Sequence, residues 1–392
     1  MKNIFDKKIN RQENKEMKWS PDYLAKEFKL DTSQEIFNLG IGDLDFETPK
    51  PIVDALKKRA SQKTYSYSYI QDEAIEAIVF WYQKVHHLAL NPKLVQIVDG
   101  VLDSMIQIIK TYTKHGESVL IQTPVYKPFQ EMVEDTKRKI ITNKLIYQDG
   151  EYHVDFKDFE QQIIANNVKL FIWCNPHNPG GKIWKDAEIN KMLKICKKHH
   201  VFILADEIHG DLAFNIPHNS ILRFSKQFQD FAIVSSADKS FNIAGLNGSY
   251  IIFANQEVLA KIMTRYKQNR SVLATTFFQP ALITGFTNPE VYAWYLELKT
   301  YLYDNFILVK KELGELDCLE IMNLDASHLV WIKINTHYDW TELEKTFLKN
   351  GVIVVFSKEF ADAEPGWFRL NFGLPRPELI KAMKKIKAIF EL

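Results

Sequence analysis

From residue 94 onward, short apolar runs are separated by longer amphipathic stretches. Runs at 94–98, 118–122, 139–146, 169–174, 201–205, 231–235 and 249–254 have strand length and are bounded by turn-forming residues. Helical spacing predicts helices between several of them, at about 101–114, 126–135, 156–166 and 186–199. Strands alternating with helices predict an α/β fold, its mainly parallel seven-stranded sheet covered by helices on both faces. After residue 255 the alternation stops. Helices over about 256–268, 288–313, 340–349 and 376–390, with strands near 327–334 and 352–355, predict a smaller α+β domain.

The first part of the chain is less regular. Residues 1–37 are polar and broken, with apolar anchors at Phe5, Ile9 and Trp19. Helices are predicted over 51–60 and 72–84, and the tyrosines at 65, 67 and 69 predict an extended piece with three phenols on one side. The expected organisation is an N-terminal segment, 1–48, packing with the small domain, a large domain, 49–285, and a small C-terminal domain, 286–392.

Charge removes some classes of partner. With 50 basic and 49 acidic residues the formal net charge is +1, which gives no electrostatic case for nucleic acid or an anionic membrane. No apolar run is long enough to span a bilayer, and the charged N-terminus lacks the apolar core of a signal peptide. Cys174, Cys196 and Cys318 are odd in number and far apart, forming neither a disulfide framework nor a zinc site; a reducing cytoplasm and no metal are expected.

The chemistry gathers at strand ends, where open α/β sheets bind ligands. After the first strand, Gly100, Val101 and Leu102 open a helix whose free N–H groups suit a phosphate, although Asp103 in the same turn would repel an anion unless it points away. After the fourth strand, Asn175-Pro176-His177-Asn178-Pro179-Gly180-Gly181 forces a tight turn that can aim the Asn178 amide at a ligand. Asp206 follows Val201 to Ala205 directly, so its carboxylate is close to buried and needs a cation or donors; a salt bridge or a protonated ring nitrogen would each serve. His209 lies three residues on. Ser236 and Lys239 share the turn after 231–235. Upstream, Gly40-Ile41-Gly42 invites a dinucleotide reading that fails, because Asp45 stands where a third glycine is needed. Pyridoxal 5′-phosphate uses such a set: a Schiff-base lysine, an acid for its ring nitrogen, a phosphate cup, a donor to its phenolic oxygen and an aromatic face, for which Tyr126 is placed.

These motifs resemble the fold-type I pyridoxal-phosphate enzymes of the class I/II aminotransferase superfamily, and most of all its bacterial cystathionine β-lyase (C–S lyase) subgroup. The resemblance rests on Asn10-Arg11, Lys18-Trp19, Asp43-Leu44-Asp45-Phe46, Tyr67, Gly100-Val101, Pro124-Val125-Tyr126, NPHNPGG at 175–181, DEIHGDL at 206–212, KSFNIAGL at 239–246 and FRLN at 368–371. It implies the aspartate aminotransferase-like fold. It assigns Lys239 to the Schiff base, Asp206 to the ring nitrogen, Asn178 to the phenolic oxygen with His209 nearby, and Tyr126 to the ring face. Gly100, Val101, Leu102 and Ser236 would cradle the phosphate, Tyr67 would reach it from the other subunit of a homodimer, and Arg369 would clamp the substrate α-carboxylate. Gly40 and Ile41 would line the substrate pocket.

Three departures stand out. Gly40-Ile41-Gly42 replaces an aromatic-led stretch of the subgroup, which implies a wider pocket. Ser66 replaces the usual glycine before Tyr67. Asn247 stands eight residues after Lys239, where many aminotransferases carry arginine. The function implied is a C–S β-lyase acting on L-cystathionine, cysteine or related S-substituted cysteines, with a transaminase as the alternative and a non-catalytic cofactor-binding regulator ranked below both.

Overall fold

The computed structural model describes residues 3–269 and 275–391. Seven strands form the central sheet: β1 Val95–Val98, β2 Ser118–Thr123, β3 Lys139–Lys144, β4 Leu170–Cys174, β5 Phe202–Asp206, β6 Phe231–Ser235 and β7 Ser249–Phe253. Their order is β1-β7-β6-β5-β4-β2-β3. Only β7 runs against its neighbours; the pairs from β6 through to β3 are parallel.

The apolar runs do not alternate with polar residues because both faces are covered. In β4, Phe171 and Trp173 face a core shared with Leu120 and Ile203, while Leu170 and Ile172 face one shared with Val119, Ile121 and Leu204. The second face is closed by the helices Val101–Tyr112, Pro128–Asp135 and Gln256–Asn269, through Met105, Ile108, Phe129, Val133 and Ile262. The first is closed by Asp72–Trp81, Phe156–Ala165, Asp186–Lys198 and Phe278–Thr287, through Trp81, Phe159, Ile189 and Leu282.

Two expectations need correction. The strand predicted to reach residue 146 stops at Lys144, and Ile146–Gln148 instead pairs antiparallel with Glu151–His153. Asp149 (φ 53°) and Gly150 (φ 79°) form the two-residue turn that this tight hairpin requires. The helix predicted at 288–313 is Pro289–Leu313, capped by Asn288 Oδ1, but the buried helix Phe278–Thr287 before it was not anticipated. Its Phe278, Ala281, Leu282 and Phe286 are enclosed on several sides, so the sequence there carries little amphipathic signal. Tyr65, Tyr67 and Tyr69 lie on chain that joins no sheet, and all three are exposed.

A second, antiparallel sheet has the order β8-β9-β11-β10, from β8 Leu319–Ile321, β9 Leu329–Ile334, β10 Val355–Phe356 and β11 Trp367–Asn371. Its core also takes in Phe5, Phe37, Leu39, Leu44 and Phe46 from the N-terminal segment. Phe37–Asn38 pairs in parallel with Val352–Ile353, which lays residues 40–43 along the boundary between the two sheets.

Candidate active site

In register, Cys174 lies opposite Asp206, and Asp206 opposite Val234, so β4, β5 and β6 end side by side. That alignment brings together the loops that carry Asn178, Asp206 and Lys239, although the sequence separates them widely. β11 delivers Arg369 from the other sheet.

Asp206 is buried, accepts a hydrogen bond from Ile208 N at 3.1 Å and, among the described residues, has no ion-pair partner. Burial pushes its carboxyl up to about 6, with the Ile208 N–H and Lys239 opposing. Arg369 shows the converse mismatch. Its guanidinium donates to Asn178 Oδ1 at 3.2 Å and to the Gly40 carbonyl at 2.9 Å, while Nε is buried without a partner and no described acid pairs with it. Burial draws Arg369 down to about 10. A buried anion without a cation and a buried cation without an anion therefore lie in the crevice where the ends of β4, β5 and β6 meet β11, and each calls for a ligand group of opposite charge. Tyr126 feels both charges: burial raises its hydroxyl, Arg369 opposes the rise and Asp206 adds to it.

Lys239 sits in the short helix Asp238–Phe241, and its Nζ lies 3.4 Å from the Gly42 carbonyl. The next residue, Ser240, donates to the buried Asp211 carboxylate, which also meets Trp81 Nε1 and His86 Nε2 at 2.9 Å, fixing the lysine turn from behind. Because Arg369 can only donate, Asn178 must turn Oδ1 toward it, leaving the Nδ2 amide free to donate into the crevice. His209 shares a hydrogen bond with Ser327 Oγ at 3.3 Å; burial, then Lys239 and Arg369, hold it down at about 3, so it is neutral.

Gly100 caps the helix that Val101 and Leu102 begin, and this first turn has N–H groups without intrahelical partners. A Cβ at Gly100 would lie 2.7 Å from Asn247 Oδ1 and 3.5 Å from Asp103 Oδ2, so both side chains reach over the helix start. Nearby, burial and then Asp103 push Asp99 up to about 6. Ser236 Oγ, expected at the phosphate, donates to the Gly248 carbonyl at 2.7 Å and accepts from Asp238 N at 3.3 Å. Its local role here is to fix the turn that carries Lys239.

Two other expectations fare differently. A side chain at Gly40 would point at Ile353 and Val355, each 3.4 Å away, and not into the crevice; the glycine that faces the lysine is Gly42, whose Cβ would lie 3.9 Å from Lys239 Nζ. The idea that a missing side chain at 40 widens the pocket is thereby corrected, because that direction is already packed. Tyr67 is fully exposed and is not brought to this chain's crevice.

Sequence reasoning gave no role to Asn371, Lys18 or His328, three of the groups that hold residues 40–43, although every carbonyl of this strap accepts from a side chain. Arg369 takes Gly40. Asn371 Nδ2 takes Ile41 at 2.6 Å and Asp43 at 2.7 Å, and Lys18 Nζ takes Asp43 at 2.8 Å. His328 Nε2 takes Gly42 at 2.9 Å. Lys18 also lies 3.0 Å from Asp45, to which Trp19 Nε1 donates at 2.8 Å, and Arg11 completes the cluster. The available signal was a set of polar residues inside motif stretches, but only contact with a distant strap gives them a purpose. Among the described residues no group of three or more His, Cys, Asp or Glu could hold a metal ion.

Comparison with known proteins places this arrangement. The chain is 31% identical over 389 residues to cystathionine beta-lyase PatB of Bacillus subtilis, covering 98% of this chain and 99% of the relative. It is 27% identical over 392 residues to Protein MalY of Escherichia coli, covering 97% and 96%. It superposes with a TM-score of 0.93 on a PLP-bound putative aminotransferase from Clostridium difficile, at 28% identity over 99% of this chain and 100% of that one. The TM-score is 0.89 for a PLP-bound C–S lyase from Staphylococcus hominis, at 27% identity over 100% and 98%. The model of the family described as aminotransferase class I and II matches residues 34–386, a span that contains both sheets and all the crevice residues named above. A match of that extent, over a fold that superposes along its whole length, means that the chain belongs to the aminotransferase class I and II family.

Proposed function

We propose that the chain is a pyridoxal-5′-phosphate-dependent C–S β-lyase, acting on L-cystathionine, cysteine or related S-substituted cysteines to give pyruvate, ammonia and a thiol. The carrying observation is the opposed pair of unmatched charges, Asp206 and Arg369, on the crevice of Lys239. Cofactor and substrate together would supply what each lacks: the cofactor's ring nitrogen the cation for Asp206, and the substrate α-carboxylate the anion for Arg369.

The bound cofactor supplies an electron sink for the pair left when the α-proton departs. The protein residues do the rest. Lys239 would hold the cofactor through its amine and, with that amine free, would take the substrate α-proton as general base. Asp206 holds a proton on the ring nitrogen. Asn178 would donate Nδ2 to the phenolic oxygen, in the orientation Arg369 imposes on its amide. Tyr126 would cover the ring, and His209, being neutral, would add no charge to the site. Val101 and Leu102 offer N–H groups to the phosphate, with Gly100 leaving room for the approach.

The full-length likeness to PatB and to the Staphylococcus C–S lyase supports elimination. Transamination is the second reading, supported by the 28% identity to the Clostridium difficile protein. Incubating the purified chain with cystathionine, and separately with amino acids plus 2-oxoglutarate, separates them. Pyruvate and free thiol from the first support the lyase; amino transfer without pyruvate overturns it in favour of the transaminase. The working unit is a two-fold dimer in the cytoplasm, a reading supported by the exposed Tyr65, Tyr67 and Tyr69 and by three free cysteines.

A further inference from the structure

His328 begins the run into β9, within Ser327-His328-Leu329. It is fully buried. Its Nε2 lies 2.9 Å from the Gly42 carbonyl, the same oxygen that Lys239 Nζ approaches at 3.4 Å. A carbonyl only accepts, so Nε2 carries the ring proton and donates it. Nδ1 is then left as a lone pair, buried and without a partner. The ring faces His209, with centroids 6.0 Å apart. Burial first, then His209 and Lys239, hold His328 well below the ordinary histidine range, so it remains a neutral donor and adds no second cation beside the lysine.

Resting on the reading of Lys239 given above, we infer that His328 is a positioning residue: by gripping the Gly42 carbonyl it fixes the point at which the free Lys239 amine docks. Gly42 has no side chain to hold its own place. Its neighbours in the strap are fixed by Arg369, Asn371 and Lys18, none of which reaches its carbonyl. One of the two lone pairs of that oxygen is therefore held by the residue just before β9, and the other is presented to the lysine. The titratable groups facing His328 are His209, Lys239 and Lys18, and Lys239 in turn faces Asp206 and Asp238.

The test exploits side-chain length. A glutamine amide reaches the position of histidine Nε2, whereas an asparagine amide reaches only that of Nδ1, which has no partner here. Full-length wild type, His328→Gln and His328→Asn are stripped of cofactor. The rate at which each captures added pyridoxal 5′-phosphate on Lys239 is then read from visible absorbance, with circular dichroism as the check on folding. Wild type and the glutamine variant should capture at similar rates. The asparagine variant, also folded, should be slower by about tenfold, the loss of one net hydrogen bond of roughly 1.4 kcal/mol. A merely packed histidine would make the two variants behave alike, and equal rates in all three chains overturn the inference while leaving the cofactor reading intact. Should His328→Asn fail to fold, a glutamine variant slowed tenfold overturns the inference and one at the wild-type rate sustains it. No capture by the wild type overturns the cofactor reading, and this inference with it.

Discussion

The guanidinium of Arg369 donates through Nη1 to Oδ1 of Asn178 at 3.2 Å, across 191 residues of sequence. This contact joins the group proposed for the substrate carboxylate to the group proposed for the cofactor's phenolic oxygen. Asn178→Asp would place a carboxylate against the guanidinium and satisfy it internally. The expected result is a rise of about 10–100-fold in KM for every amino-acid substrate, the range of a charge-assisted hydrogen bond. Weaker binding of a carboxylate inhibitor, by the same factor in calorimetry, would accompany it; unchanged KM would mean that Arg369 does not meet the substrate.

Asp206 links pH to stability. Its carboxyl rises from 3.8 to about 6 in the folded chain. A raised carboxyl favours folding fully below the unfolded value, and that contribution is lost as pH climbs from about 4 to about 6. Asp206→Asn lacks the contribution. Relative to wild type, the cofactor-free variant should therefore gain stability between pH 4 and 7, on the order of 2–3 kcal/mol. Urea unfolding at several pH values measures this, and parallel curves would contradict it. The variant should also lose about 10²–10³-fold in kcat, because the electron sink loses its proton partner.

Gly40 and Gly42 make different predictions despite being two residues apart. Gly40→Trp drives a large ring into Ile353 and Val355, already 3.4 Å from a Cβ, and should lower stability by about 1–3 kcal/mol. Gly42→Ala places a methyl 3.9 Å from Lys239 Nζ and should cut kcat with little change in melting temperature. Thermal unfolding and steady-state turnover of both variants distinguish the two; a Gly40→Trp chain of normal stability but altered leaving-group preference would restore the wider-pocket idea.

Tyr67 is fully exposed in one chain, so its proposed phosphate role requires a second. Tyr67→Ala and Lys239→Ala chains, each inactive alone, should recover part of the wild-type turnover when mixed, since one site of the hybrid dimer carries both intact residues. Hybrids confirmed by native mass spectrometry that stay inactive, although both parents are inactive, would rule out shared sites.

The sequence by itself determined the seven-stranded sheet and the positions of Asp206, Asn178 and Lys239 at its strand ends. Those features are local: an apolar run sets a strand, the residues that break it set its end, and parallel strands end on the same side. It left open which way Gly40 faces, what Arg369 grips and why His328 is buried. Tertiary structure decided these, because each depends on contacts that close only when the second sheet docks. Arg369 meets the Gly40 carbonyl across 329 residues, and His328 meets Gly42 across 286. No periodicity encodes such a pairing: a backbone carbonyl presents the same acceptor whatever its residue type, so the strap's partners are selected by position in space and not by the identity of residues 40–43.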